Sequence, residues 1–222
     1  MTQEKKTYKA VIFDLDGTLI NSLQDIADSM NRVLASNGYP THDYESYRYF
    51  VGKGLKNLVG RTLSDELRTD ENTIRLYSQL LKDYEKNCLQ KTILYRGIPE
   101  LLDALKEQES KLAIVSNKAD AFTKKIAGEL MYKWPFGAII GAKDEIPRKP
   151  DPTGALMASK ALGVLPSESL YVGDTSVDME TAIAAGMYPV GVTWGFRTRD
   201  ELLKNGAKAI IDKPEELLDL LK

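Results

Sequence analysis

The sequence predicts an α/β fold in which a doubly wound, Rossmann-like parallel sheet carries an all-helical segment inserted after its first strand. Three observations predict this arrangement. The apolar run of residues 11–13, followed by Asp14, is typical of a strand buried on both faces. From about residue 98 onward, strand-like runs alternate with helix-like runs, as in doubly wound sheets. Between Tyr39 and about Gln90 no strand pattern occurs, so this segment is predicted to be helical.

The inserted segment is predicted to contain several amphipathic helices. The first has Ser22 and Asp25 as a candidate capping box, and Asn37-Gly38 as its left-handed stop. The glycine-containing residues 51–54 interrupt the helices. The longest helix is predicted to begin at Glu71. Its buried stripe at helical spacing is predicted to consist of Ile74, Tyr77, Leu81, Tyr84 and Cys88.

The rest of the chain is predicted to form the sheet and its covering helices. The predicted strands are residues 111–115, 136–140, 169–173, 188–192 and 209–211, and the predicted helices are residues 99–105, 122–130, 153–162, 177–185, 201–204 and 214–221. We therefore expect a core of residues 1–20 and 93–222 and a helical cap of residues 21–92. The linkers near Ile20-Asn21 and at residues 91–97 are expected to act as hinges.

The composition argues against several classes of partner. Of the 222 residues, 43% are hydrophobic and 28% charged, and the formal net charge of −2 indicates neither nucleic acid nor an anionic membrane. No apolar run approaches the ~20 residues of a membrane span. Residues 1–9 are polar and lack the apolar region of a secretory signal, which predicts a cytoplasmic protein. Monomer and homodimer both remain open.

Histidine and cysteine are too rare to carry the chemistry. Cys88 is the only cysteine, which excludes an internal disulfide and a cysteine-based zinc site. His42 is the only histidine, and it is expected at the surface because it lies in a polar stretch. Any catalysis must therefore rest on carboxylates, lysine and hydroxyl groups.

Two carboxylates stand at the end of the first predicted strand. Asp14 and Asp16 lie on the same side of an extended chain, and Gly17 allows a sharp turn after them. Two such carboxylates repel unless a cation lies between them or one of them takes up a proton. The pattern indicates a metal site, an acid–base pair or both. For an isolated motif of this kind, an ordinary Asx turn is the alternative.

Polar side chains also follow three later strands. Ser116-Asn117 ends the second strand, Lys149-Pro150 lies in the loop after the third, and Asp174 and Asp178 follow the fourth. Because the carboxyl ends of strands in a doubly wound sheet lie along one edge, we expect these residues to gather around Asp14.

This combination of side chains suits phosphoryl transfer. A phosphomonoester dianion that approaches an aspartate needs a cation and N–H or O–H donors to neutralise its charge. Oxygen ligands favour Mg²⁺, and Lys149 would hold the phosphate as a point charge. One carboxylate can form an aspartyl-phosphate, while a second can protonate the leaving alcohol and then activate water. The predicted partner is a small phosphorylated metabolite.

In this order the motifs resemble those of the haloacid dehalogenase-like (HAD) hydrolase superfamily. The matching residues are Asp14-Leu15-Asp16-Gly17-Thr18-Leu19, Ser116-Asn117, Lys149-Pro150-Asp151-Pro152 and Gly173-Asp174-Thr175 with Asp178. The inserted helices resemble the helical cap of the first type in that superfamily. The resemblance implies that Ser116, the Asn117 amide and Lys149 hold the phosphate.

The resemblance also implies how the carboxylates divide the work. Asp14 would be the nucleophile and Asp16 the general acid and base. Mg²⁺ would be bound by the Asp14 carboxylate, the Asp16 backbone carbonyl and Asp174, with Asp178 supporting it directly or through water. Dehalogenases of the superfamily lack the second aspartate of the first motif, so Asp16 favours phosphate chemistry.

Finer similarities indicate one branch of the superfamily. Residues 191–197, residues 211–217 and the loop at residues 51–54 resemble the phosphoglycolate phosphatase branch, whereas Arg96 stands where that branch often has proline. Phosphoglycolate is therefore the first expectation for the substrate. A pyrophosphatase and a β-phosphoglucomutase-like phosphoryl transferase are the alternatives among enzymes. A phosphate-binding regulatory module without turnover is the alternative from a different class.

Substrate choice is expected to come from the cap, because the core handles only the phosphate. Gly52-Lys53-Gly54 is expected to dip into the site, since glycines allow close approach of the backbone. Lys53 or Arg61 would then pair with a carboxylate of the substrate. A solvated lysine at a helix junction is the alternative.

Overall fold

The computed structural model describes residues 8–221, so residues 1–7 of the predicted polar leader and residue 222 lie outside the described part. In chain order, its strands and α-helices are β1 (Ala10–Phe13), β2 (Ile20–Asn21), α1 (Leu23–Ser36), α2 (Tyr44–Phe50), α3 (Leu55–Thr62), α4 (Asp70–Asn87), β3 (Ile93–Leu94), α5 (Ile98–Glu107), β4 (Lys111–Ala119), α6 (Asp120–Leu130), β5 (Phe136–Ala142), α7 (Thr153–Leu162), β6 (Ser169–Gly173), α8 (Ser176–Ala184), β7 (Tyr188–Val192), α9 (Arg199–Lys204), β8 (Ala209–Ile211) and α10 (Leu217–Leu220). None of the described helices is long and apolar enough to cross a membrane.

A parallel six-stranded sheet forms the centre of the fold. Its strands lie in the order β5-β4-β1-β6-β7-β8, so the chain winds outward from β1 in one direction and then in the other. This is the order of a doubly wound sheet, in which ligands bind where the winding direction reverses. The predicted α/β class is confirmed, and β1 lies at the reversal.

The position of β1 at the centre of the sheet explains why its sequence is apolar throughout. Side chains alternate along a strand, so Val11 and Phe13 enter the hydrophobic cluster that includes side chains of α5 and α6. Ala10 and Ile12 enter the cluster on the opposite face, which includes side chains of α7 and α8. All four side chains are buried because helices cover both faces of the sheet.

A short antiparallel ribbon joins the sheet to the inserted helices. Strand β2, which follows the first motif, pairs with β3, so that Ile20 lies opposite Leu94. Helices α1 to α4 lie between these strands in the chain, and we call them the helical insertion. Near its base, the Asp25 carboxylate accepts hydrogen bonds from the Lys91 and Thr92 amides and from the Thr92 hydroxyl.

The predicted capping box of α1 is therefore wrong. The Ser22 side chain makes no capping hydrogen bond and donates to Asp16 instead. The Asp25 carboxylate is occupied by the returning chain near Thr92. Groups outside α1 satisfy both side chains, and they replace the local pairing that the sequence pattern suggested.

Three other details of the fold differ from expectation. In α4 the buried residues are Leu76, Leu80 and Tyr84, whereas Ile74 of the predicted stripe is 59% exposed. His42 is half-buried rather than at the surface, with its ring nitrogen 2.8 Å from the Thr62 carbonyl oxygen. The strand predicted at residues 111–115 continues to Ala119, because its polar last third is also buried.

Two arginines connect the helical insertion to the part of the chain that forms the six-stranded sheet. Arg48 of α2 donates to the Gly195 carbonyl at 2.9 Å. Arg197, in the loop after β7, donates to the Arg48 carbonyl and, at 3.2 Å, to the Val51 carbonyl. These hydrogen bonds join the helical insertion to the loop after β7, so the insertion is held against the edge of the sheet in the described conformation.

Candidate active site

The carboxyl ends of neighbouring strands bring the predicted residues together. Asp14 directly follows β1, and its amide donates to the Val172 carbonyl of the adjacent β6 at 2.9 Å. Asp174 follows β6, Ser116 lies in β4 on the other side of β1, and Lys149 comes from the loop after β5. The expected gathering around Asp14 is therefore present.

A buried cluster of carboxylates lies at this edge. Asp14, Asp174 and Asp178 each offer an oxygen, and these oxygens all lie within 4.8 Å of one another. Lys149 Nζ lies 2.7 Å from Asp14 Oδ1 and 2.7 Å from Asp178 Oδ1. With all groups charged, one lysine faces three carboxylates, which leaves a negative centre away from water.

Burial and repulsion by neighbouring carboxylates raise the pKa values of Asp14 and Asp174. Burial, with the negative charges of Asp178 and Asp16 added, raises the pKa of Asp14 to about 7, although Lys149 opposes the rise. Burial, with the negative charges of Asp178 and Asp14 added, raises the pKa of Asp174 well above its usual range. Burial alone would lower the pKa of Lys149, but Asp14 and Asp178 hold it well above its ordinary value.

The cluster fits a divalent cation. Its oxygen donors are of the kind that hard cations such as Mg²⁺ take, and a cation would relieve the repulsion that raises the carboxyl pKa values. Asp174 is enclosed by glycines: a Cβ on Gly17 would lie 2.3 Å from its Oδ2, and a Cβ on Gly195 would lie 2.3 Å from its Cβ. The Phe196 amide donates to Asp174 at 2.7 Å. These contacts fix the carboxylate in the cluster.

The raised pKa values predict how pH affects the stability of the metal-free protein. The pKa of Asp14 is about 7 in the folded protein, against an ordinary value of 3.8. Between these values the folded state holds more protons than the unfolded state, so the free energy of unfolding decreases as pH rises, by at most roughly 4 kcal/mol for this group. Mg²⁺ is expected to reverse the loss.

Urea denaturation at about pH 5 and about pH 8, with and without Mg²⁺, measures this effect. Both pH values lie above the ordinary carboxyl range, so most other acids stay ionised. Asp14→Asn is the matched control and is expected to flatten the pH profile. A metal-free protein that becomes more stable between these two pH values would contradict the prediction.

Asp16 has partners different from those of Asp14. Its Oδ1 accepts a hydrogen bond from Ser22 Oγ at 2.5 Å, and Lys118 Nζ lies 2.9 Å and 3.0 Å from its two oxygens. It is not one of the clustered carboxylates. The two aspartates of the first motif are thus held in separate environments, as distinct chemical roles require.

Lys118 is the residue of this site that sequence reasoning missed. It lies in β4, its side chain is 2% exposed, and its Nζ lies 4.8 Å from the centre of the Tyr84 ring in α4. Burial alone would lower its pKa, but the Asp16 carboxylate raises it. The available signal was a basic residue directly after Ser116-Asn117, next to a buried strand.

Asn117 ties three parts of the site together. Its side chain accepts from the Lys149 amide at 2.8 Å and donates to the Lys149 carbonyl at 3.1 Å. The same side chain donates to the Gly52 carbonyl of the helical insertion at 3.2 Å. Ser116 Oγ beside it accepts from the Lys118 amide at 3.2 Å. Asn117 therefore fixes the loop that contains Lys149 and also contacts the helical insertion.

A cavity of about 40 Å³ lies between the sheet edge and the helical insertion. Its polar lining consists of Asp14, Asp16, Ser116, Asn117, Lys118, Lys149 and Thr175. The insertion contributes Ile26, Val51, Gly52, Gly54, Leu55 and Leu58. The side of the cavity formed by the sheet edge is thus charged. The side formed by the insertion, which we call the roof, is apolar, and the cavity has space for a small group only.

The proposed cap residues do not all reach this cavity. Gly52 and Gly54 line it, with φ of 111° and 83°, in the left-handed region that favours glycine. Lys53 and Arg61 line a separate outer groove, and the Arg61 guanidinium donates to the Tyr49 carbonyl at 2.5 Å. In the described conformation, neither cation is placed to meet a substrate carboxylate in the cavity.

Comparisons with known proteins agree with this geometry. The family model described as haloacid dehalogenase-like hydrolase matches residues 11–192. Phosphoglycolate phosphatases from Pseudomonas putida and Aquifex aeolicus are each 32% identical to the chain, over 95% and 96% of it and 78% and 96% of their own lengths. The crystal structure of a proposed phosphoglycolate phosphatase from Lactobacillus delbrueckii subsp. bulgaricus has a TM-score of 0.91 and 30% identity, covering 97% of this chain and 98% of that chain.

The fold and the site define a doubly wound α/β protein with an acidic centre of the kind that binds divalent cations at the carboxyl edge of its sheet. More narrowly, the chain belongs to the haloacid dehalogenase-like hydrolase family, because the family model covers most of its length. The resemblance noted in the sequence is confirmed.

Proposed function

We propose that the protein is a Mg²⁺-dependent phosphatase that hydrolyses a small anionic phosphomonoester, with phosphoglycolate as its substrate. One observation carries the proposal: Lys149 bridges Asp14 and Asp178 within hydrogen-bond distance, beside Asp174, in a buried cavity. Such a centre combines a nucleophile, a place for a cation and a fixed positive charge for phosphate.

Three groups would bind the phosphate, and four oxygen-bearing groups would bind or support the metal. Ser116 Oγ, the Asn117 amide and Lys149 Nζ donate to the phosphate oxygens. Asp14, the Asp16 carbonyl and Asp174 hold Mg²⁺, supported by Asp178. When bound, Mg²⁺ supplies positive charge that offsets the charge of the phosphoryl oxygens.

The reaction would proceed in two displacements. Asp16 enters the cycle in its protonated form. The Asp14 carboxylate attacks phosphorus, the bond from phosphorus to the ester oxygen breaks, and Asp16 gives its proton to the departing alkoxide. Water then attacks phosphorus in the aspartyl-phosphate, the bond from phosphorus to the Asp14 oxygen breaks, and Asp16 takes the proton from that water. Inorganic phosphate leaves, and both aspartates return to their starting protonation states. Ser22 and Lys118 keep Asp16 oriented throughout.

The helical insertion would act as a cap domain. In this proposal, the core comprises residues 1–20 and 93–222 and the cap comprises residues 21–92, with the ribbon of β2 and β3 between them. The apolar roof of the cavity supports this division, because a roof of aliphatic side chains excludes water from the phosphoryl centre.

Phosphoglycolate is supported by the names of the relatives and by the small cavity. In a Mg²⁺-supplemented assay of phosphate release, we expect kcat/KM for phosphoglycolate to exceed that for larger sugar phosphates by at least ~10-fold, because the closed cap leaves little room. A preference for pyrophosphate would favour a pyrophosphatase. Isomerisation of a sugar phosphate without phosphate release would favour a mutase, and phosphate binding without any turnover would favour a regulatory module.

A further inference from the structure

The roof of the cavity lacks the positive charge that an anionic substrate needs. The side chains that the helical insertion contributes there are Ile26, Val51, Leu55 and Leu58. Its cations at the outer groove, among them Lys53, Lys56 and Arg61, do not line the cavity. A carboxylate buried against aliphatic side chains without a cation is strongly unfavourable. Among the described residues that line the cavity, the cations are Lys149 and Lys118.

Lys149 is committed to the phosphate end. Its Nζ lies between Asp14 and Asp178, where the phosphoryl group is transferred. Lys118 has a different partner, because its Nζ lies beside both oxygens of Asp16. The two lysines are therefore paired with different carboxylates, Lys149 with the proposed nucleophile and Lys118 with the proposed proton donor to the leaving group.

The chemistry of the leaving group places it against Lys118. Asp16 gives its proton to the ester oxygen, so that oxygen has to lie within hydrogen-bond distance of Asp16. In phosphoglycolate a single carbon separates the ester oxygen from the carboxylate. Because Lys118 Nζ is 2.9 Å from Asp16, a carboxylate at that position lies close to the ammonium group.

The Asp16 carboxylate does not use all the donors of the Lys118 ammonium group. It carries three N–H donors, and the two oxygens of Asp16 account for two of them. The Tyr84 ring, 4.8 Å away, belongs to α4 of the insertion and covers the ammonium group when the two layers are together. Water is thereby kept from the lysine, which strengthens any ion pair that it makes with a substrate.

We propose that Lys118 is the specificity-determining residue, which recognises the anionic end of the leaving group. This inference rests on the proposed phosphatase function and adds to it that the substrate class is a phosphomonoester with a carboxylate one carbon from the ester oxygen. It assigns to a core residue the recognition that the sequence had suggested for Lys53 or Arg61.

The test compares two substrates of the same size. Phosphoglycolate carries a carboxylate where 2-hydroxyethyl phosphate carries a neutral hydroxymethyl group. Lys118→Met is expected to slow both, because Asp16 loses its ion pair. It is expected to lower kcat/KM for phosphoglycolate by a further ~10- to 100-fold, since only that substrate loses a charged hydrogen bond.

Three further variants make the comparison decisive. Lys118→Gln keeps an N–H donor for Asp16 and tests the same loss of charge if the methionine variant does not fold. Lys118→Arg is expected to restore most of the preference for phosphoglycolate. Lys56→Met, in the outer groove, removes an equal charge and is expected to leave the ratio of the two kcat/KM values unchanged.

Equal losses on both substrates in the Lys118 variants would overturn the inference and leave Lys118 as a positioning residue for Asp16. Failure of the proposed function has a different signature, because the wild-type protein would then not hydrolyse phosphoglycolate. In that event the comparison is made with the anionic phosphomonoester that it does hydrolyse. A wild-type protein that hydrolyses only phosphomonoesters with neutral leaving groups would also overturn the role of Lys118.

Discussion

Asp14→Asn is expected to lower kcat by at least ~10⁴-fold, with no phosphorylated protein formed. The amide has nearly the shape of the carboxylate but is a poor nucleophile, and it removes one negative charge from the cluster. Steady-state phosphate release and acid quenching with a radiolabelled substrate measure the two effects. Because Lys149 keeps Asp178 as a partner, the variant is expected to remain folded.

Asp151→Asn is the matched control for this substitution. Asp151 belongs to the same group of motifs, but it is exposed and its carboxylate accepts from the Thr153 amide in a local turn. Its kcat is expected to stay within about threefold of the wild-type value, since surface substitutions of this kind have small effects. Activity retained in Asp14→Asn would remove the aspartyl-phosphate route from consideration.

Lys149→Met is expected to damage both activity and stability. It leaves Asp14 and Asp178 without their shared cation, and breaking a buried ion pair from one side costs about 3–5 kcal/mol. Loss of the phosphate contact is expected to lower kcat/KM by at least ~10³-fold. Mg²⁺ should recover part of the stability but little of the activity, because it replaces the charge in the cluster and not the contact with phosphate.

Lys143→Met provides the comparison for an exposed ion pair. Lys143 Nζ lies 3.3 Å from Asp120 Oδ2, and its side chain is 43% exposed. The expected cost is below ~1 kcal/mol, with no change in kcat/KM. Urea denaturation and phosphate-release kinetics of both lysine variants, each with and without Mg²⁺, separate the two cases. Similar free energies of unfolding for Lys149→Met and Lys143→Met would contradict the prediction, because the buried ion pairs of Lys149 would then contribute no more than an exposed one.

The sheet and its edge were predictable because they follow from rules that act over the whole chain. Alternating strands and helices specify a parallel sheet, and parallel strands place their carboxyl ends along one edge. Asp14, Lys149 and Asp174 could therefore be brought together from positions far apart in the sequence. The family resemblance added roles to these residues.

Errors arose where a tertiary partner replaced a local pattern. Ser22 and Asp25 have the spacing of a capping box, yet Ser22 donates to Asp16 of the first motif and Asp25 accepts from the distant Thr92. The burial of Lys118 could not be predicted, because lysine is normally exposed to water and this one is buried through its ion pair with Asp16. The strand that contains Lys118 was predicted to end too early for the same reason.

The orientation of the loop at residues 51–54 was not predictable for a different reason. Composition identified the glycines at residues 52 and 54 as positions of close approach, and both line the cavity. Gly54 has a φ of 83°, which favours glycine, and a Cβ there would also lie a tight 3.2 Å from the Asn117 carbonyl oxygen. The direction of the Lys53 side chain between them depends on the positive φ angles of its neighbours, and a sequence pattern does not encode that direction.

The pairing of β2 with β3 has a consequence for how such a protein can be built. Residues 20 and 94 lie side by side, a strand spacing of about 5 Å apart, although a whole helical layer separates them along the chain. Seen from the sheet, that layer is an enlarged hairpin loop. The helical insertion can therefore be shortened, exchanged or redesigned without a change in the order of the strands in the sheet.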